Sequence, residues 1–430
     1  MANQNDSQLK GTLYRRLLRF CFALIALFGC YWLSMDSARL GLTRFFSMLA
    51  IVQSTLEPAD TAVRLTPDDP EAHYTRALAL MNLQRLEEAV VELRTATRLR
   101  PHHYYEWLDL GVTLDRLGDR NGAVNALQES IRLAPSFAQP HWQMGNLLFR
   151  DGQYQEAFIE LRLGAKSNPN LAPGMLDLAW VAANGDADRF VAFVQPETGR
   201  RHFELARFLA KQGKGAEAAK QVRAAGSYQD DYERALLNIT TAELLAVGNF
   251  SDAFDVWAIG HPSNPGKGKI VNGDFLDPIL QDEPGFGWQI PKITGASVSI
   301  DPSGPVAGTR GLCIEFGGET TPGAAPVYQL VLLPANGRYS LSFMARTENL
   351  VTGGPPVIDV LDASTNPPRI LGRSKPVPAG TGDWERYSAE FSTMENTSAI
   401  VIRLQRLQCS QLPCPVFGRL WLSGFVLNKT

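Results

Sequence analysis

The sequence is poor in the residues that most often carry catalysis, metal binding and disulfide frameworks. It has 6 histidines and 5 cysteines among 430 residues. No histidine has a metal-binding partner four residues on, and no HExxH, GxSxG or dinucleotide-binding glycine pattern is present. Gly266–Lys269 lacks the Ser or Thr of a phosphate loop, so it is interpreted as a flexible basic linker. We therefore expect no catalytic residues, no metal and no cofactor.

A basic surplus is also missing. The formal net charge is -3, which gives no excess of Lys and Arg for neutralising phosphates, so nucleic acid is not an expected partner. The length exceeds the roughly 250 to 300 residues that one hydrophobic core supports, which predicts more than one domain.

Charged residues are absent from Phe20 to Met35. Together with Leu17 and Leu18, this run predicts a transmembrane anchor at residues 17–35 after a cytoplasmic tail at 1–16. The positive residues Lys10, Arg15, Arg16 and Arg19 precede or border the run. By the positive-inside rule this predicts a single-pass inner-membrane protein with its bulk on the periplasmic side. Three alternatives stay open: a cleaved signal peptide, lipidation at Cys30 and a buried helix.

A fixed period is the strongest pattern in the chain. Pro67, Pro101, Pro135 and Pro169 follow one another at intervals of 34 residues, each after two apolar helical patterns separated by a break. Small residues recur in the same phase, as at Ala77, Gly111 and Gly145 on the first helix of each pair. His73 and His141 take the repeat position of Trp107, which indicates packing between helices. These features resemble the tetratricopeptide repeat (TPR) family, and weaker units extend the predicted array over residues 36–260.

The resemblance implies an α-solenoid whose concave face is lined by the first helix of each pair. Aromatic side chains mixed with charged and amide groups on that face suit an extended peptide of a protein partner. The alternative for each is packing against a neighbouring repeat. The predicted groove residues are Tyr74, Met81, Asn82, Tyr105, Asp115, Arg116, Trp142, Asn146, Phe149 and Arg150.

After a Gly-, Pro- and Lys-containing linker at residues 261–269 the period changes to two, as in Tyr339–Arg346. Such short alternating segments predict an antiparallel β-sandwich at residues 270–430. "IVNGDF" (270–275), "GDWERYSAEF" (382–391) and "GRLWLSGFVL" (418–427) resemble galactose-binding-like carbohydrate-binding modules with a jelly-roll fold. Ser423 stands where such modules commonly carry an acidic residue.

The resemblance implies a glycan ligand for the sandwich. Amides, hydroxyls and guanidinium groups bond sugar hydroxyls, and a tryptophan can stack on a pyranose ring. The predicted glycan-binding residues are Gln329, Ser342, Arg346, Trp384, Arg403 and Gln405. Cys409 and Cys414 flank a short loop and are predicted to form a disulfide, with free thiols as the alternative.

These parts combine into a multidomain α-then-β chain: a transmembrane helix, a TPR solenoid and a jelly-roll sandwich. The expected function is a non-catalytic scaffold of the cell envelope, with a protein in the groove and a glycan on the sandwich, in polysaccharide assembly or export. Two alternatives stay open: a glycan-active enzyme with two carboxylates far apart in sequence, and an adaptor that contacts proteins only.

Overall fold

The computed structural model describes residues 2–53, 55–280, 283–410 and 413–430, and their side chains apart from those of residues 2–18 and 21. The chain divides into two compact units, Met1–Gly185 and Asp186–Thr430. Among the described residues, the first unit is helical, and the second holds helices followed by β-strands. The predicted domain bounds at 36–260 and 270–430 stay a prediction.

Over the described residues of the first unit, consecutive helices pack in four pairs joined by short turns, and one more helix follows the fourth pair. Their bounds are α1 (Ala2–Gln53), α2 (Leu56–Leu65), α3 (Pro70–Asn82), α4 (Leu86–Leu99), α5 (Tyr104–Arg116), α6 (Arg120–Leu133), α7 (Ala138–Arg150), α8 (Tyr154–Ser167) and α9 (Ala172–Ala183). Gly118 and Gly152 adopt positive φ between paired helices, a conformation that glycine accepts without a steric cost.

The prolines that mark the period serve as hydrogen-bond acceptors. In each clear repeat, the side chain six residues after the proline reaches the proline's carbonyl oxygen. The ring nitrogen to carbonyl distances are 2.7 Å for His73–Pro67, 2.9 Å for Trp107–Pro101 and 2.9 Å for His141–Pro135. Because a histidine ring nitrogen and an indole nitrogen can each donate to this carbonyl oxygen, either residue type can occupy the position.

The same histidines also connect the two helices of a pair. His73 Nδ1 lies 2.6 Å from Glu92 Oε2, and His141 Nδ1 lies 2.6 Å from Glu160 Oε2. Each acid follows its histidine by 19 residues, and the residue at that spacing from Trp107 is Ala126. The sequence interpretation of these histidines as residues between packed helices is therefore consistent with the contacts.

The predicted transmembrane anchor at residues 17–35, and with it the inner-membrane localisation, is wrong. Within the described part of the chain, no helix has the length and apolarity needed to cross a membrane. The uncharged run Phe20–Met35 is shorter than the about 20 apolar residues that a bilayer requires. It lies inside α1, which continues to Gln53 through Asp36, Arg39 and Arg44. The side chains of the tail predicted at 1–16 lie outside the described residues.

The C-terminal half of α1 instead packs against α2 as a helix pair that precedes Pro67. Arg39 Nη2 donates to the carbonyl oxygen of Leu65 at 2.7 Å, and the Thr43 and Thr66 hydroxyl oxygens are 2.7 Å apart. Arg44 adds an ion pair with Asp69 at 3.0 Å. Helix pairing thus begins within α1, and the predicted start of the array at residue 36 stays a prediction.

The helices of the second unit continue the paired pattern. They are α10 (Ala187–Val194), α11 (Gly199–Lys211), α12 (Gly215–Ala225), α13 (Asp231–Ala246) and α14 (Phe250–Ile259). His202 Nδ1 lies 2.8 Å from Gln221 Oε1, again 19 residues on. The contact that ties the two helices of a repeat therefore recurs where the sequence period is weak.

Two antiparallel sheets form the sandwich of the second unit. The strands are β1 (Ala296–Asp301), β2 (Gly311–Gly317), β3 (Tyr328–Leu332), β4 (Arg338–Thr352), β5 (Pro356–Asp362), β6 (Arg369–Arg373), β7 (Gly380–Ser392), β8 (Ala399–Arg406) and β9 (Val416–Lys429). One sheet has the order β1-β2-β9-β4-β7 and the other β3-β8-β5-β6. The alternating apolar residues face a shared core that includes Phe343, Ile402 and Leu422.

Candidate functional sites

All ten predicted groove residues lie on the first helices α3, α5 and α7, and each is half-buried or exposed. They do not all have open side chains, however. The Trp142 ring lies 3.4 Å from the position of a Cβ on Gly174, so it packs against the next helix. The Phe149 ring packs near Tyr154 and Phe158, at centroid distances of 5.3 and 6.2 Å. Trp142 thus supports the packing of α7 against α9, and Phe149 supports the packing of α7 against α8.

Polar groups connect neighbouring first helices at a spacing of one repeat plus one residue. The Tyr74 hydroxyl donates to Asp109 Oδ2 at 2.7 Å. Arg150 forms an ion pair with Asp115, also 35 residues apart. Burial raises the pKa of Asp109, and the hydrogen bond from Tyr74 opposes that rise. The sequence interpretation missed Asp109, although its spacing from Tyr74 equals that from Asp115 to Arg150.

Two further predicted side chains lie at the C-terminal ends of these helices. Arg116 donates to Gln84 Oε1 at 2.5 Å. Asp115 forms an ion pair with Arg120 in addition to the one with Arg150. Arg116 and Arg150 remain exposed. This end of the first helices therefore presents guanidinium groups whose hydrogen-bonding capacity is only partly used.

An exposed aromatic surface lies at the other end of α5. Tyr105 is 45% exposed and Phe137 is 51% exposed. The Tyr104 ring stacks on Tyr105 with centroids 4.0 Å apart and contacts Phe137 at 4.9 Å. Burial is the main cause that raises the pKa of Tyr104 to about 12, and the hydrogen bond with Tyr105 adds to it, so the Tyr104 ring is neutral at physiological pH. We name Tyr104, Tyr105 and Phe137 the aromatic cluster.

The predicted glycan-binding residues lie on both sheets of the sandwich. Ser342, Arg346 and Trp384 belong to β4 and β7 of the five-stranded sheet. The Arg346 guanidinium lies over the Trp421 ring at 4.8 Å, and the Trp421 indole donates to Asp301 Oδ2 at 3.0 Å. Trp384 reaches to 3.3 Å from the position of a Cβ on Gly311. Arg346 thus contacts β9, and Trp384 lies against the start of β2.

Arg403 and Gln405 lie on β8 of the four-stranded sheet, alternating with the core residues Ile402 and Leu404. Arg403 is opposite Tyr328 on β3 and opposite Asp359 on β5. Arg403 Nε and Gln405 Oε1 are both buried and have no hydrogen-bond partner among the described residues. A donor and an acceptor on one face thus have unsatisfied hydrogen-bonding capacity.

A charged pair borders this face. Asp359 is fully buried and accepts two hydrogen bonds from Arg373, Nε at 2.6 Å and Nη2 at 3.0 Å. Arg403 Nη2 lies 3.8 Å from the same carboxylate. Gln329 has a different position: it is fully buried, and its amide exchanges hydrogen bonds with the backbone of Val271 at 2.9 and 3.1 Å. We name Tyr328, Asp359, Arg373, Arg403 and Gln405 the β8 face.

Cys409 and Cys414 are joined by a disulfide, with Cα atoms 5.7 Å apart. Gln411 and Leu412 of the loop between them lie outside the described residues. Across the residues that the structure describes, no group of three or more His, Cys, Asp and Glu side chains is placed to hold a metal ion.

Comparison with known proteins matches two segments to tetratricopeptide repeat models, residues 70–103 and residues 108–172. Protein FlbA of Caulobacter vibrioides is 31% identical over 101 residues, which are 24% of this chain and 17% of FlbA. The TPR repeat-containing protein PA4299 of Pseudomonas aeruginosa is 35% identical over 88 residues, 20% of this chain and 36% of that protein. The match therefore covers well under two thirds of the length of each of these relatives.

Among solved structures, MamA (41-end) from Desulfovibrio magneticus RS-1 is 18% identical to this chain, with a TM-score of 0.30. The match covers 44% of this chain and 93% of the MamA chain. The matched repeat models confirm the prediction that residues 70–172 carry tetratricopeptide repeats. Such repeats are protein-interaction modules.

Proposed function

We propose that this protein is a non-catalytic scaffold whose first helices α3, α5 and α7 bind an extended segment of a protein partner. The observation that carries the proposal is the aromatic cluster, which exposes Tyr105 and Phe137 beside the groove. Exposed rings of this kind supply contact area with little loss of conformational entropy, since each has two side-chain torsions.

The charged end of the groove adds the second part of the recognition. Arg116 and Arg150 are exposed at the C-terminal ends of α5 and α7, away from the aromatic cluster at the start of α5. An apolar or aromatic side chain of the partner would pack on Tyr105. A carboxylate or backbone carbonyl further along would accept from the guanidinium groups.

A peptide selection tests this proposal. Peptides selected from a random displayed library on the full chain should bind Tyr105→Ala at least about tenfold more weakly than the unmodified protein, because loss of a central aromatic contact costs on the order of 1.4 kcal/mol or more. The affinities would be measured by fluorescence anisotropy with synthetic versions of the selected peptides.

Ile159→Ser is the matched control. Ile159 is 50% exposed, but it lies on the second helix α8. Peptides that bind both variants with equal affinity, or that lose affinity only with Ile159→Ser, would contradict a first-helix groove.

We further propose that the β8 face binds the vicinal hydroxyls of a saccharide, which would let the chain connect a protein to a polysaccharide. The unpartnered Arg403 Nε and Gln405 Oε1 support this proposal. One hydroxyl can accept from the guanidinium while its neighbour donates to the amide oxygen. A buried polar group without a partner costs about 1–3 kcal/mol, so a ligand that satisfies both atoms recovers that energy.

Titration calorimetry with the full chain tests the β8 face against neutral and uronic-acid oligosaccharides. We expect a subset to bind, and Arg403→Ala and Gln405→Ala each to weaken binding about tenfold, the effect of losing one ligand hydrogen bond to a charged or buried group. Arg386→Ala is the control, because Arg386 is exposed on β7 of the other sheet. A panel without any binding sugar, or equal losses with Arg386→Ala, would remove this proposal.

A further inference from the structure

A buried guanidinium lies next to the disulfide without a carboxylate partner. Arg406 is 3% exposed, and none of the described Asp or Glu side chains forms an ion pair with it. Its contacts are Gly354 O at 3.2 Å, Thr320 O at 2.6 Å, Thr352 Oγ1 at 2.9 Å, Cys414 O at 3.0 Å, Pro415 O at 3.2 Å and Cys414 Sγ at 3.2 Å. Every hydrogen-bond partner except the sulfur is an uncharged oxygen.

A buried cation without a counter-charge is unfavourable, since carbonyl dipoles replace only part of its hydration. Burial accordingly lowers the pKa of Arg406. The one contacting atom that can become an anion is Cys414 Sγ. Reduction of the Cys409–Cys414 bond would create a thiolate where the guanidinium lacks its counter-ion.

The two sulfurs also differ in exposure. Cys414 is 8% exposed and contacts Arg406, whereas Cys409 is half-buried. Cys409 Sγ lies 3.1 Å from the position of a Cβ on Gly353, and a side chain there would crowd the sulfur. An incoming thiolate therefore meets the more exposed Cys409 first.

We propose that Cys409 and Cys414 form a thiol–disulfide exchange site, in which a dithiol reductant attacks Cys409 and Arg406 stabilises the departing Cys414 sulfur. This inference is independent of the groove and of the β8 face. A leaving thiol with a lower pKa leaves faster, so the arginine accelerates the step that opens the disulfide.

The exchange balances as two successive thiol transfers. One thiolate of the reductant forms a bond to Cys409 Sγ, and the Cys409–Cys414 bond breaks with its electron pair on Cys414. The second thiol of the reductant then attacks the mixed disulfide, which releases Cys409 and oxidises the reductant to its own disulfide. Two electrons pass to the protein, and the proton of the second thiol ends on Cys409.

Arg406 also explains how the sandwich would keep its fold in the reduced form. Its guanidinium connects the end of β4 at Thr352, the following Gly354, the segment before β9 at Cys414 and Pro415, and Thr320. These contacts do not depend on the sulfur–sulfur bond. Reduction should therefore leave the circular dichroism spectrum of the protein unchanged.

Two single-cysteine variants test the proposal without altering Arg406. Cys409→Ser leaves Cys414 as a thiol beside the guanidinium, and Cys414→Ser leaves Cys409 as the matched control. We expect the thiolate absorbance of Cys409→Ser, followed against pH, to show a midpoint at least about one pH unit below that of Cys414→Ser, as for thiols near a cation. Cys30 and Cys313 are present in both variants and cancel in the comparison.

A midpoint of Cys414 equal to or above that of Cys409 would overturn the proposal, because burial alone raises a thiol pKa. The unmodified chain gives an independent measurement. In dithiothreitol buffers, peptide mapping after rapid alkylation should find dithiothreitol bound to Cys409 and the alkyl group on the released Cys414. Dithiothreitol bound to Cys414, with Cys409 alkylated, would contradict attack at Cys409.

Discussion

Gly145→Ala is expected to destabilise the repeat array by about 1–3 kcal/mol, the cost of overfilling a well-packed contact. A Cβ on Gly145 would lie 2.6 Å from Leu161 Cγ and 3.1 Å from the carbonyl oxygen of Ala157. Leu161 is fully buried and the second contact is backbone, so neither atom can move away cheaply. The measurement is the urea midpoint followed by helical circular dichroism.

Gly41→Ala is the control with the opposite expected sign. Gly41 is also helical, but nothing lies within 4 Å of the position of its Cβ. Alanine there should stabilise by up to about 1 kcal/mol, because glycine is the poorer helix former. If Gly145→Ala also raised the midpoint, the close crossing of α7 and α8 would be refuted.

The same glycine explains why the helical part could be predicted from the sequence. One repeat earlier, a Cβ on Gly111 would likewise lie 2.7 Å from Leu127 Cγ. The period places small residues where helices cross and prolines where repeats end, and both constraints are local in sequence. The same repeat phase predicts that α11 pairs with α12 and α13 with α14. The tetratricopeptide repeat models match only residues 70–103 and 108–172.

The anchor prediction failed because no helix in the described part of the chain is long and apolar enough to cross a membrane. Phe20–Met35 is free of charge, but α1 continues through charged positions to a pairing with α2. A tetratricopeptide helix and an anchor both begin as an apolar run. Arg39 and Thr43 of α1 contact Leu65 and Thr66, which are more than 20 positions away, so a local apolar run cannot reveal this pairing.

The sequence pattern also does not predict which of the two sheets each strand joins. A period of two separates inward from outward residues, but it does not say to which of two sheets a strand belongs. Arg346 and Arg403 have the same alternating signature and lie on different sheets. Gln329 shows a further limit, because a buried amide that bonds the Val271 backbone has the same local pattern as an outward one.

The histidine contacts lead to the second large effect. Glu92→Ala is expected to destabilise the array by about 3 kcal/mol, as for a broken buried ion pair. Glu92 is 7% exposed and its carboxylate accepts from His73 at 2.6 Å and from Arg76 at 2.5 Å. Removing it leaves the His73 Nδ1 proton without its acceptor, while Nε2 stays bound to Pro67.

This loss should depend on pH in a defined direction. The hydrogen bond to Glu92 raises the pKa of His73 above 6.5. The stability that His73 contributes is therefore fully present below its unfolded pKa of about 6.5 and is lost as the pH rises through its folded pKa. Burial alone would raise the pKa of Glu92, but His73 and Arg76 together lower it. Its contribution is present above its unfolded pKa of about 4.5 and is lost as the pH falls through the folded value.

The difference in stability between the unmodified chain and Glu92→Ala should therefore be largest between about pH 4.5 and 6.5 and should shrink above that window. Urea midpoints at a series of pH values measure it. Glu129→Ala is the control, since Glu129 pairs with Arg132 three residues on at the helix surface, where solvent screens the ion pair and it adds little stability. A Glu92 difference that stayed constant from pH 5 to 9, or that grew with pH, would show that His73 does not carry the charge in this contact.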